Sequence, residues 1–248
     1  MIITKEHLDM LKPLPLAAKK AFIRDRDHGL KHAIQTLKNA KEIVEKEGGD
    51  LEAIKYAAFY HDVASIERLS TAKLSAEIRK KHAKRGARKT RTALLRMGKP
   101  PEFAERVADL ISIHDQPFGT HQDAESRALY DADKLDLIGK PALQRLNSFE
   151  KTKTQRQFYD PEIGLKERIN FRMGMLARDS FTVLLDNLYR TGHPDRFYTQ
   201  TARAKAKTLQ KELEDEAKRH ISGHPHEKEM LALMKKYKRA VVTKPRAE

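Results

Sequence analysis

Residues 54–62 read Ile54-Lys55-Tyr56-Ala57-Ala58-Phe59-Tyr60-His61-Asp62. Seven positions with a single charge end abruptly on an imidazole and a carboxylate. A segment this apolar belongs inside a fold, and an ionised carboxylate there is costly unless it is paired or binds a metal. Neighbouring side chains on a helix diverge by about 100°. His61 and Asp62 therefore reach one ion together only if the helix ends irregularly beside them. A second His-Asp pair, His114-Asp115, occurs in the chain, so the dipeptide alone decides nothing. The decision comes from what lies on either side of it.

Outward from this segment the dominant period is helical. Apolar residues recur at helix spacing from Leu14 to about Glu47 (Phe22, Leu30, Ala33, Ile34, Leu37, Ala40, Ile43, Val44), where Gly48-Gly49 stops the run. Asp50 is placed to cap a second helix from Leu51 through His61. A third, strongly basic helix is expected from Ala76 to Met97, ended by Gly98-Lys99-Pro100-Pro101. Pro101 suits the first turn of a fourth helix through Phe103, Val107, Leu110, Ile111 and His114. A fifth is expected over Ala128–Ile138, closed by Gly139. Further helices are expected around Leu165–Tyr189 and Tyr198–His220, with a last amphipathic stretch at Met230, Leu231, Leu233, Met234 and Tyr237. No period-two strand of useful length is found, so the fold class is all-α.

The chain has 248 residues, enough for one substantial core with an appendage. It has no cysteine, which excludes disulfides and thiolate metal sites. Its first residues lack the long apolar run of a signal peptide, and no stretch approaches the roughly 18 apolar residues of a membrane span. A cytoplasmic protein without membrane partners is the expectation. The net charge of +15 points to anionic partners, whether nucleotides, nucleic acid or acidic surfaces.

Two further clusters share the chemistry of His61-Asp62. His28 and His32 are four residues apart, one turn of a helix. His32 lies nearer the apolar stripe and is the better ligand, leaving His28 to orient a ligand or face a substrate phosphate. Asp131-Ala132-Asp133-Lys134-Leu135-Asp136 places three carboxylates among apolar residues. An EF-hand loop would need Gly where Asp136 stands and Glu where Ala142 stands, so calcium of that kind is excluded. His32, His61, Asp62 and Asp133 together supply two imidazoles and two carboxylates. That donor set suits one divalent ion of intermediate hardness, with Mn, Fe, Co, Ni, Mg and Zn all open.

These residues carry a resemblance. The order His32, His61-Asp62, Asp133 resembles the H…HD…D signature of the HD-domain superfamily of metal-dependent phosphohydrolases. Three segments are closer to the small bacterial HD hydrolases that include nucleotide pyrophosphohydrolases. Asp25-Arg26-Asp27-His28-Gly29-Leu30-Lys31-His32 resembles their D-x-x-H-x-x-x-H opening. Tyr56 to Val63 is similar to A-A-L-L-H-D-I/V. Asp131 to Gly139 resembles D-A-D-R/K-L-D-A-I-G and is the most specific match. Phe197 to Arg203 looks like a T-x-T/A-A segment of their C-terminal helix.

The resemblance implies an HD-domain helical bundle over residues 14–150, a helical extension over 151–222 and a basic tail over 223–248. It also implies that His32, His61, Asp62 and Asp133 hold a divalent metal. His82 and His114 correspond to further His positions that bind a second metal or contact phosphate, a role considered for His28 and Arg145 as well. The sequence departs from these relatives at Gln35, where Arg is common, and over Lys140–Arg145.

The expected activity is cleavage of a phosphoester or phosphoanhydride bond, with a nucleotide as the leading substrate. A bound metal polarises the phosphoryl group and acidifies a water. Glu67 is a candidate for moving the proton, and Lys134 and Arg145 for neutralising developing charge. The competing function is an HD-fold nucleic-acid-binding or regulatory protein with little turnover. It is suggested by Arg79–Arg91, which holds eight basic residues and no acid. On a helix Lys81, Lys84, Arg85 and Arg88 would share one side. Oligomeric state is not legible in the sequence.

Overall fold

The structure is a computed structural model that describes residues 2–25, 28–64, 76–139, 142, 158–169 and 179–242. For residues 76–81, Glu167 and Val242 the description is of the backbone alone. No strand occurs among the described residues, and the fold is all-α. Two compact units are formed, Met1–Asp133 and Lys134–Glu248.

The first unit contains α1 (Lys5–Leu11), α2 (Leu16–Arg24), α3 (Leu30–Glu47), α4 (Leu51–Tyr60), α5 (Ala76–Arg96), α6 (Pro101–Ile113) and most of α7 (Ala124–Leu135). Its centre is α4. Ala53, Ile54 and every residue from Tyr56 to Tyr60 are buried, so the helix is covered nearly all round. α3 and α6 pack on α4, and α5 packs on α6. Phe59 is enclosed by an edge-on Phe22 and a stacked His7, and Tyr60 donates its hydroxyl to the Met10 carbonyl. Burial of one such aromatic stabilises the fold by roughly 1.5–3 kcal/mol.

The punctuation read from the sequence explains most boundaries. Asp50 caps α4 by accepting from the Glu52 and Ala53 amides, and Pro101 opens α6. Gly98 has a φ of 75° just beyond α5, a conformation glycine adopts without penalty. Three expectations need correction. The run from Leu14 to Glu47 is two helices, because one ends at Arg24 and the next begins at Leu30, after Gly29. There a Cβ on residue 29 would stand 2.3 Å from the Asp25 carbonyl oxygen and 2.4 Å from that of Phe22, so only glycine fits. α7 begins at Ala124 rather than Ala128, since Asp123 accepts from the Ser126 amide and caps it. It ends at Leu135 rather than Ile138, where Leu137 and Ile138 turn back to the carbonyls of Lys134 and Leu135. α1 was not foreseen.

The second unit contains α8 (Leu165–Ile169), α9 (Ser180–Asp186) running into a π turn at Asn187–Thr191, a 3-10 turn at Pro194–Arg196, α10 (Gln200–Ile221) and α11 (Glu227–Val242). α11 packs on α8, α9, the π turn and α10, burying Met230, Met234 and Tyr237. Arg168 is fully buried here. It donates to both carboxylate oxygens of Asp179 at 3.0 and 2.8 Å, to the Asp160 carbonyl and to the Ile163 carbonyl. No helix among the described residues is long and apolar enough to cross a membrane.

Candidate metal centre

α4 stops at Tyr60, and the chain turns through residues 61–64 with the Val63 amide bonded to the Tyr60 carbonyl. This irregular end is what lets two consecutive side chains converge. His61 Nε2 and Asp62 Oδ2 lie 3.5 Å apart, both residues buried. His61 uses its other nitrogen, Nδ1, to bond the Ala58 carbonyl at 2.9 Å. A proton held there leaves a bare lone pair on Nε2, the tautomer that a metal ligand needs.

His32 comes from the first turn of α3. Its Nε2 is 3.0 Å from His61 Nε2, 3.2 Å from Asp133 Oδ1 and 3.6 Å from Asp62 Oδ2. Asp133 comes from α7, with Oδ1 also 3.6 Å from His61 Nε2. The placement of α7 is fixed from two sides. Asn39 of α3 donates to the Ala132 carbonyl at 3.3 Å and accepts from Gln35 at 3.2 Å. Glu125 accepts from the Asp50 amide at 2.7 Å and from Arg106 at 2.8 Å. Gln35 thus takes a positioning part, holding Asn39.

Three more imidazoles surround Asp62. His28 Nδ1 lies 2.7 Å from Oδ2, while His82 Nε2 and His114 Nε2 lie 2.9 and 3.9 Å from Oδ1. His82 and His114 are buried, whereas the His28 side chain is half-exposed. His114 Nδ1 bonds the Ile111 carbonyl at 2.6 Å, again leaving Nε2 bare. His28 is not on the helix with His32. It sits in the turn before α3, its amide bonded to Asp25 Oδ1 at 2.7 Å, and its ring centre is 5.7 Å from that of His32.

The electrostatics follow from this crowding. Burial alone would raise the Asp62 carboxyl, but the charges of His28, His61 and His32 and the His28 hydrogen bond outweigh it. The carboxyl is held well below its usual range. Burial lowers His28, yet the adjacent Asp62 carboxylate overrides this and raises it. His114 is lowered, chiefly by burial.

The donor set fits a divalent ion. Around an ion with bonds of about 2.0–2.2 Å, neighbouring donors stand roughly 2.9–3.6 Å apart. The contacts of His32 and His61 with each other and with both carboxylates span 3.0–3.6 Å. The atoms of His32, His61 and Asp133 lie within 4.8 Å of one another, as do those of His61, Asp62 and His114. These five residues, with His28 and His82, are brought together around Asp62 or Asp133. Glu67 and Arg145, the candidates for proton transfer and phosphate binding, lie outside the described residues. Lys134 is buried and begins the second unit. The sequence reading missed Asn39 and the carbonyls of Ala58 and Ile111. An Asn seven residues after His32, on the same helix face, was the available signal for the first.

Residues 29–138 match the family model of the HD domain. Solved structures share the fold. YpgQ of Bacillus subtilis, in complex with ADP, aligns with a TM-score of 0.61 at 20% identity, over 88% of this chain and 97% of its own. An HD-superfamily hydrolase from Bacillus thuringiensis gives 0.59 at 21%, over 88% and 95%. A predicted HD-superfamily hydrolase from an uncultured Thermotogales bacterium gives 0.55 at 23%, over 87% and 91%. No curated protein matches the chain in sequence. The likeness to the HD domain family thus spans residues 29–138, and with them His32, His61, Asp62 and Asp133.

Proposed function

We propose that the protein is a metal-dependent phosphohydrolase that cleaves a phosphoester or phosphoanhydride bond, with a nucleotide as the leading substrate class. The observation that carries this reading is that the buried His32 and His61 lie within 3.6 Å of each other and of carboxylate oxygens of both Asp62 and Asp133. Two buried acids beside five imidazoles are costly in a protein that has no use for a cation. The ADP complex of YpgQ, a protein of the same fold, supports the choice of nucleotide.

His32, His61, Asp62 and Asp133 would hold the ion. When bound, a divalent metal offsets the charge on a phosphoryl group and makes water a competent nucleophile near neutral pH. The protein's own part is geometric and electrostatic. The Ala58 carbonyl keeps the His61 Nε2 lone pair directed inward. Asn39 and Glu125 hold the helix that carries Asp133. His28, half-exposed and bonded to Asp62 through Nδ1, presents its remaining nitrogen to phosphate oxygens. His82 and His114 supply further contacts to a second ion or to phosphate. Glu67 is assigned the proton transfer, and Lys134 and Arg145 the developing charge. Attack of water on phosphorus breaks one P–O bond and releases phosphate or pyrophosphate with the protonated leaving group.

The test is metal-dependent release of phosphate and pyrophosphate by the full chain from a panel of nucleotides and phosphoesters, with Asp62→Ala assayed beside it. Turnover lost together with bound metal in the variant supports the reading. Metal retention without turnover on any substrate removes it in favour of a binding protein. That second reading draws on α5, where Lys84 and Arg88 are exposed on one side of the helix. Steep salt dependence of polynucleotide affinity would support it.

A further inference from the structure

α5 carries a second feature. A cavity of about 290 Å³ lies between the far end of α5 and the turn joining α1 to α2. Its floor is the buried side chains of Leu14, Val63 and Ala93, and two prolines and Ala18 complete the apolar wall. Its rim is cationic, formed by Arg88, Lys89 and Arg96. Arg88 and Arg96 are eight residues apart, so both stand on one face of the helix. Among the described residues no carboxylate lies within ion-pair distance of either guanidinium. Arg91, on a different face of the same helix, is by contrast paired with Glu105.

Val63, in the cavity floor, follows the metal-centre residue Asp62 in the chain, and along α5 the cavity extends away from His82. At 1.5 Å per residue, Lys89 and Arg96 stand roughly 10 and 21 Å beyond His82. None of the metal-centre side chains lines it. Its size limits what can enter. At about 30 Å³ for each water-sized group, the space matches a small ligand of roughly ten such groups. Its walls offer no aromatic ring for a base to stack on. What matches them is an aliphatic body, and what matches the rim is a single anionic head that accepts from guanidinium donors.

We propose that this cavity is a binding site for a medium-chain aliphatic anion, a carboxylate or a phosphate monoester of about six to ten carbons. The chain lies on Leu14, Val63 and Ala93, and the head bridges Arg88 and Arg96. Binding buries apolar surface at one end of the ligand and neutralises clustered positive charge at the other.

The experiment is calorimetric titration of the metal-loaded full chain with octanoate, octyl phosphate, octyl alcohol and inorganic phosphate. One equivalent of octanoate or octyl phosphate is expected to bind, and which binds tighter identifies the head group. The alcohol and inorganic phosphate are each expected to bind at least about tenfold more weakly. The double variant Arg88→Gln/Arg96→Gln, whose side chains are exposed, is expected to lower octanoate affinity about tenfold without moving the thermal midpoint. Ala18→Phe should fill the cavity and abolish binding. Equal affinity for the alcohol, octanoate binding unchanged in the double variant or in Ala18→Phe, or no binding of either anion would each overturn the proposal.

Discussion

Gly86 lies in the interior of α5, where glycine is worth about 1 kcal/mol less than alanine to the helix. A Cβ added there would stand 3.1 Å from the His61 carbonyl oxygen, 3.5 Å from Ile111 Cγ2 and 4.0 Å from Ala64 Cβ. Carbon–oxygen contacts of this kind ordinarily sit near 3.3–3.6 Å, so the His61 peptide would have to give by about 0.3 Å. Metal ligands tolerate only about 0.2 Å. Gly86→Ala therefore gains about 1 kcal/mol of helix propensity and loses about 1–3 kcal/mol to overpacking. The metal-free protein should change by no more than a loss of about 1–2 kcal/mol, read by urea denaturation in chelator. Metal affinity should fall more than stability does, by about tenfold in a chelator-competition titration. Gly86→Val should deepen both effects. A Gly86→Ala protein with raised stability and unchanged metal affinity would show that the close approach does not position His61.

The second unit offers a test independent of the metal. Arg168→Met leaves the Asp179 carboxylate buried without its guanidinium, and should cost about 3–5 kcal/mol in denaturant titration; a loss under about 1 kcal/mol would contradict the assigned network. Glu214 is bonded by Lys218 and by Lys238 of α11 at 3.0 and 3.2 Å. Burial raises its carboxyl, but these hydrogen bonds outweigh that and lower it. Its contribution is therefore present above the ordinary glutamate range and is lost as pH falls through the lowered folded value. Glu214→Gln should reduce stability by about 0.5–1 kcal/mol at neutral pH and by progressively less at acid pH, as the carboxyl takes up a proton below its lowered folded value. Equal losses at neutral and acid pH would remove the ion pair from the account.

How far the fold could be read from sequence depended on which residues set each boundary. Asp50, Pro101 and the glycines after α3 and α5 act locally, and their helices fell where expected. The break between Arg24 and Leu30 escaped because Phe22 and Leu30 stay in helical phase. What breaks the helix is the close approach of Gly29 to two carbonyls, a contact that apolar periodicity does not register. α7 was placed late because its first turn is polar; Asp123 held the signal, three residues ahead of Ser126. At the centre, every candidate on a described residue could be named from its type and neighbours. Their convergence could not, since Asp133 depends on Asn39 and Glu125 reaching across from other helices. His28 is the instructive case. Its proximity to His32 was legible, but through a turn and a bond to Asp62 rather than a shared helix face.

The measurement that bears most directly on the central claim is the anomalous scattering of crystals grown with manganese. One strong peak is predicted about 2.0–2.3 Å from Nε2 of His32, Nε2 of His61 and one carboxylate oxygen each of Asp62 and Asp133. The same peak should be absent from Asp133→Ala crystals. Manganese found elsewhere, or still at full occupancy without Asp133, would contradict the assignment of these four residues as one metal centre.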